Sequence, residues 1–75
     1  MDLHLPYVAA ALGAGLAVVG GGLGIGRLAA AAMDGIARQP QAGGVIGTNM
    51  LIAAGLIEGI TLVAEVVAFL IVLMK

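Results

Sequence analysis

Residues 45–74 read VIGTNMLIAAGLIEGITLVAEVVAFLIVLM, and in these thirty residues the ionisable side chains are Glu58 and Glu65 alone. An apolar stretch of this length exceeds the ~20 residues a helix needs to cross the hydrocarbon core. In lipid only a helix or a closed barrel satisfies its own backbone. Apolar and polar residues do not alternate here, so the stretch predicts a membrane-spanning helix. Glu58 is then a carboxylate at bilayer depth. Such a group is disfavoured by a few kcal/mol or more and marks a substrate or ion pathway. Desolvation favours the neutral acid, whereas water or a cation favours the carboxylate. A side chain that alternates between these two states can carry protons.

A second apolar segment precedes the first. Residues 5–36 are separated from 45–74 by the polar stretch Ala37-Arg38-Gln39-Pro40-Gln41. Pro40 lacks an amide hydrogen and biases Gln39 away from helical dihedrals, which makes this stretch a hairpin turn. The expected architecture is all-α: one transmembrane hairpin of two helices, 5–36 and 45–74, joined by a polar turn at 37–44. Arg38 in the turn and Arg27 before it favour a cytoplasmic turn with both termini on the opposite side, although Lys75 counts against this. At ~1.5 Å per residue each helix outruns the ~30 Å core, so the turn end projects into the cytoplasm and Arg27 snorkels to its boundary. Tyr7 and Lys75 are expected to anchor the helices at the interface, and His4 reads as an exposed tail residue.

Composition agrees with a membrane protein. Of the 75 residues 63% are hydrophobic and 9% charged, and the mean hydropathy is +1.23. So short a chain has too little interior for a soluble core of its own, and its apolar surface must meet lipid or further copies of itself. A net charge of -1 gives no sign of nucleic acid as a partner. With no Cys there is no disulfide, thiolate or zinc framework. Residues 1–7 carry Asp2 and no basic residue, unlike a secretory signal or transit peptide, so the chain reads as mature and complete. It holds no nucleophile with its base, no metal cluster and no phosphate loop. No catalytic chemistry, metal or cofactor is therefore expected in this chain itself.

The first helix carries Gly13, Gly15, Gly20, Gly21, Gly22, Gly24 and Gly26. Gly13, Ala17, Gly20 and Gly24 recur at steps of three and four and line one face; Gly15, Gly22 and Gly26 line another. Small residues let membrane helices approach closely. Two small faces imply neighbours on both sides, and head-to-tail contacts that close form a ring. A simple dimer through a small-xxx-small face is the alternative, and glycine spacing alone does not choose between them. The dinucleotide fingerprint Gly-x-Gly-x-x-Gly, begun at Gly22 and Gly24, fails at Arg27 and follows no strand.

Three elements in order, the Gly20-x-Gly22-x-Gly24-x-Gly26 run, the Asp34-Gly35-Ile36-Ala37-Arg38-Gln39-Pro40 turn and Glu58 eighteen residues beyond the proline, resemble the c subunit of the F-type rotary ATP synthase over nearly the whole chain. The resemblance implies a closed homo-oligomeric ring of hairpins, with the first helix inside and the second outside, turning against the a subunit of the stator in a bacterial inner membrane. It further implies that Glu58 carries the ion and that Gly13, Gly15, Gly20, Gly22, Gly24 and Gly26 pack the inner ring. Arg38, Gln39 and Pro40 would meet the central-stalk subunits gamma and epsilon. Counted outward from the turn, Gly22 and Glu58 stand at matching heights, so the glycines leave room at the carboxylate's level.

Sodium-carrying members resemble a pattern with Gln in the first helix and a hydroxyl residue directly after the carboxylate. The matching positions here are Ile25 and Gly59, which points to protons as the transported ion. A Tyr five residues after the carboxylate is replaced by Val63, which leaves Thr61 either as a substitute partner for Glu58 or bonded to its own helix backbone. Glu65 follows Glu58 by two turns, on the same face and about 10 Å away. That is too far to share a proton. A relay, a second titratable site or a protonated group bonded between the helices are the open readings, the last preferred, and a sodium site built with Glu58 is the alternative ion chemistry. Asp34 is either part of the turn motif or a solvated helix-end charge. A pore-forming, holin-like hairpin is the competing function.

Overall fold

The computed structural model describes residues 4–74; Asp2 and Lys75, the latter expected as an interface anchor, lie outside them. Helix α1 spans Leu5–Arg38, a single 3-10 turn spans Pro40–Ala42, and helix α2 spans Gly43–Leu73. Pro6 stands in the first turn of α1, where a missing amide hydrogen costs no helical bond. At the other end Gln39 leaves the helix with φ -135° and ψ 79°, as a residue before proline must. Its N–H donates to the Gly35 carbonyl at 2.9 Å, and the Ala42 N–H donates to the Gln39 carbonyl at 2.9 Å.

The connection is shorter than the turn expected at 37–44. Ala37 and Arg38 still belong to α1, while Gly43 and Gly44 already belong to α2. Arg38 pairs with Asp34 one turn back, at 3.2 Å across the exposed helix end. A cation in the last turn also complements the helix dipole. Gly43 adopts φ -55° and ψ -40°, an ordinary helical conformation. Once the four residues 39–42 have reversed the chain, the backbone bonds of α2 therefore start at once.

With 34 and 31 residues, the helices are about 51 and 46 Å long. The molecule measures 59 × 15 × 9 Å. Both helices outrun a ~30 Å hydrocarbon core.

The helices meet along small residues of α1. Ala10 and Ala32 are buried, at 4% and 8% exposure, and Gly21 is buried between them. Three contacts fix the antiparallel register. A Cβ on Gly35 would lie 3.3 Å from Ile46, one on Gly24 would lie 3.5 Å from Ile57, and one on Gly21 would overlap the Thr61 hydroxyl. Nearly every large apolar side chain points away from this seam, Leu16 being 71% and Ile60 73% exposed. A lone hairpin thus has almost no core, and its surface needs lipid or other copies.

One glycine face differs from the expectation. Gly21 and Gly24 contact α2 directly, whereas Ala17, Gly20 and Gly13 only border grooves against it, and a Cβ on Gly13 or Gly20 would meet nothing within 4 Å. Successive residues are 100° apart on a helix. Of three consecutive glycines the central one therefore turns to the partner helix and its neighbours turn to either side.

Candidate ion-carrying site

Glu58 is the midpoint of α2, with fifteen helical residues on each side. Ile57 packs on Gly24 and Thr61 on Gly21, so the carboxylate stands level with residues 21–24 of α1. This agrees with the height matched from the turn. The side chain is exposed on the outside of the hairpin. Gly55 and Gly59 flank it, and neither would meet a neighbour if it carried a Cβ. Another chain can therefore come close to this carboxylate. Among the described residues no side chain of the hairpin bonds to Glu58.

Thr61 is not its partner. The Thr61 hydroxyl donates to the Ile57 carbonyl at 2.9 Å, and the residue is packed against Gly21. A hydroxyl one turn beyond a carbonyl on its own helix has that acceptor at no further conformational cost.

Glu65 does lie between the helices, half-buried in a groove bordered by Tyr7, Ala10, Ala14 and Phe69. It makes no hydrogen bond there: Oε2 is shielded and has no partner. Alanines form most of the α1 surface opposite it. Their methyl groups donate nothing, and the amides of α1 are committed to their own helix. Glu58 and Glu65 lie within about 20° of one another on α2, but Glu58 is exposed whereas Glu65 is half-buried in the groove against α1.

The ring-packing candidates Gly13, Gly15, Gly20, Gly22 and Gly26 are all open in the single hairpin, while Gly24 is turned to Ile57 of its own chain. Gly21 was not among those candidates. The triplet Gly20-Gly21-Gly22 was the signal for it, since three adjacent glycines present small surface in three directions. Replacing Gly21 with Ala should destabilise the hairpin by about 1–3 kcal/mol, the usual cost of overpacking. The added Cβ would overlap Thr61 Oγ1 and lie 3.2 Å from Thr61 Cβ and Cγ2. Adding Thr61→Ala should recover most of the loss in a double-mutant cycle measured by unfolding in detergent. Additive effects would contradict the contact.

Arg38, Gln39 and Pro40 are exposed at the tip, where they border a shallow cleft with Gln41 and Ala42. Asp34 pairs with Arg38 one turn on and stays 65% exposed, a solvated charge at the helix end.

Two helices long and apolar enough to cross a membrane, one carboxylate at mid-height and open glycines at the same level place the chain in the class of membrane-spanning hairpins. The family model for the C subunit of ATP synthase matches residues 8–71, and the chain belongs to that family. It is similar to the ATP synthase c subunit of Bacteroides thetaiotaomicron, 61% identical over 62 residues that cover 83% of this chain and 73% of the relative. The ATP synthase c subunit of Phocaeicola vulgatus is 52% identical over 66 residues, covering 88% and 79%. That of Lactobacillus helveticus is 41% identical over 71 residues, covering 95% and 92%. Membership makes the chain an integral membrane protein of the ATP synthase complex with a rotor-ring role. It also decides between the rotor component and the holin-like hairpin.

Proposed function

We propose that this protein carries protons on Glu58 within a closed ring of identical hairpins, α1 inside and α2 outside, turning against the a subunit of the stator. The observation that carries this reading is the placement of Glu58: at the midpoint of α2, outward-facing and flanked by Gly55 and Gly59. As a neutral acid it travels past lipid and donates a single hydrogen bond. Ionisation takes place where the stator supplies water or a cation. The output of the hairpin is torque, with no bond-making chemistry of its own.

Protons are preferred over sodium because Ile25 and Gly59 bring no side-chain oxygen to the site, and a cation shell takes several oxygen ligands. Two further features support this: the Thr61 hydroxyl is directed at Ile57, and Glu65 stands two turns, about 10 Å, from Glu58. A hydrophobic carbodiimide reacts with a protonated acid in apolar surroundings and should label Glu58. Labelling should proceed equally with and without sodium at constant pH and ionic strength. Protection by sodium that disappears in Glu65→Gln would replace this reading with a cation site built from both carboxylates.

The turn is assigned to the cytoplasm of a bacterial plasma membrane, with both termini opposite, on the strength of Arg38 and Arg27. Arg38, Gln39 and Pro40 are then the contact to the central-stalk subunits gamma and epsilon. Their exposure at the tip of a hairpin that outruns the bilayer supports that role.

A further inference from the structure

Glu65 is a carboxylate at membrane depth that the carriage of protons on Glu58 does not use. Thr61 packs on Gly21, so Glu65, one turn further along α2, stands level with about Ala17 of α1. From Leu5 to Gly24 the polar side chain of α1 is Tyr7 alone, and from Gly59 to Leu73 those of α2 are Thr61 and Glu65. Tyr7 and Arg27 each lie ten residues from Ala17, about 15 Å along the helix in opposite directions. Among the described residues no donor therefore reaches Glu65, and its Oε2 is shielded without a partner. A second copy brings none either, because it repeats the same apolar stretches at this height. A shielded carboxyl oxygen left without a donor is costly, so the partner must come from outside the ring.

The course of the groove favours water as that partner. Glu65 closes its inner end beside Ala14 and Ala68, and Tyr7 and Val72 border its outer end at the termini. Its space of about 300 Å³ is well above the ~10–15 Å³ that one water needs. In the other direction lies Glu58, within about 20° on the same flank of α2 and about 10 Å away. A part of the stator that faces Glu58 on this flank therefore faces Glu65 as well. Thr61 stands between the two acids, and its oxygen can still accept a hydrogen bond while its O–H is donated to Ile57.

We propose that Glu65 is a proton relay on the terminus-side path to Glu58, supplied by water in this groove. The relay rests on the proposed carriage of protons on Glu58. A hydronium ion in the groove gives its proton to a carboxylate oxygen of Glu65. The Glu65 O–H then gives a proton to the water on its Glu58 side, and the Glu58 carboxylate takes one from the far end of the same file. About three waters at ~2.8 Å per hydrogen bond span the gap. Every water that gains an O–H bond loses another, so one proton moves, Glu65 is left ionised and Glu58 neutral, and nothing is oxidised. Tyr7 from α1 and Glu58 on α2 are the other ionisable groups on this path, and no cation of the hairpin faces it.

The test uses the whole ATP synthase in vesicles whose two aqueous sides are buffered separately. At low proton concentration on the terminus side, Glu65→Gln should slow proton-driven ATP synthesis several-fold. Acidifying that side should close the gap, while the dependence on turn-side pH stays that of wild type. Glu65→Asp keeps a carboxyl and should recover most of the rate. A second arm needs no variant and decides the matter if Glu65→Gln fails to assemble: a water-soluble carbodiimide with an amine should label Glu65 from the terminus side and not from the turn side. Equal rates for wild type and Glu65→Gln at every terminus-side pH, a loss that follows turn-side pH, or a Glu65→Asp variant as slow as Glu65→Gln overturns the relay. So does labelling from the turn side, or none from the terminus side. Glu58→Gln separates the two readings. If it abolishes synthesis while Glu65→Gln matches wild type, the relay alone fails, whereas synthesis that survives Glu58→Gln removes the carrier and the relay with it.

Discussion

Replacing Glu58 with Gln should reduce ATP synthesis driven by a proton gradient to the background of vesicles lacking the complex, while ring assembly is preserved. Gln fills nearly the same volume and keeps a polar end, but it cannot exchange a proton. The exposed position of Glu58, between Gly55 and Gly59, gives the substitution nothing to disturb within the hairpin. Assembly is checked by ring mass and function by synthesis rate in reconstituted vesicles. The membrane potential supplies only about 2.3 kcal/mol per charge per 100 mV, so on the proposed mechanism ATP synthesis sums several ion transfers and each hairpin passes the stator in turn. In rings mixed from wild-type and Glu58→Gln chains, activity should therefore fall more steeply than the fraction of variant. Undiminished proton flux through pure variant rings would remove Glu58 from the mechanism.

Gly20→Leu and Gly22→Leu should each prevent ring assembly while leaving the hairpin folded. A Cβ at either position meets nothing within 4 Å of its own chain, so a single hairpin tolerates the leucine. Between neighbouring copies of α1 the same side chain would hold the backbones apart where small residues allow close approach. The expected result is full helicity by circular dichroism with complete loss of the ring species in detergent. Gly21→Ala should behave in the opposite order, weakening the hairpin through Thr61 before any neighbour arrives. A ring of normal size from either leucine variant would contradict α1 as the packed inner helix.

The contrast between these glycines shows where sequence ends as a guide. Two helices, a turn at Pro40 and a carboxylate at bilayer depth were legible because each follows from a local property. Apolar length, a missing amide hydrogen and an isolated charge need no knowledge of the partner helix. The height of Glu58 against α1 was legible too, since an antiparallel hairpin with a short turn allows only a narrow choice of register. The exact ends of the turn were not. Gly43 and Gly44 look like loop residues in composition, yet they continue a helix whose bonds are satisfied from its own chain. Arg38 likewise looks like a turn residue but ends α1 against Asp34.

Sequence by itself determined the membrane hairpin, its family and the lone carboxylate at its centre, because hydrophobic length and charge depth are sums over one segment. Only the tertiary structure decided which way each small or polar side chain faces. Gly21 faces Thr61 while Gly20 and Gly22 stay open, and Thr61 bonds to Ile57 and not to Glu58. The physical reason is angular: a helix rotates 100° per residue. The facing seam is chosen by which line of small residues lets the two backbones come closest, and that choice depends on both helices at once.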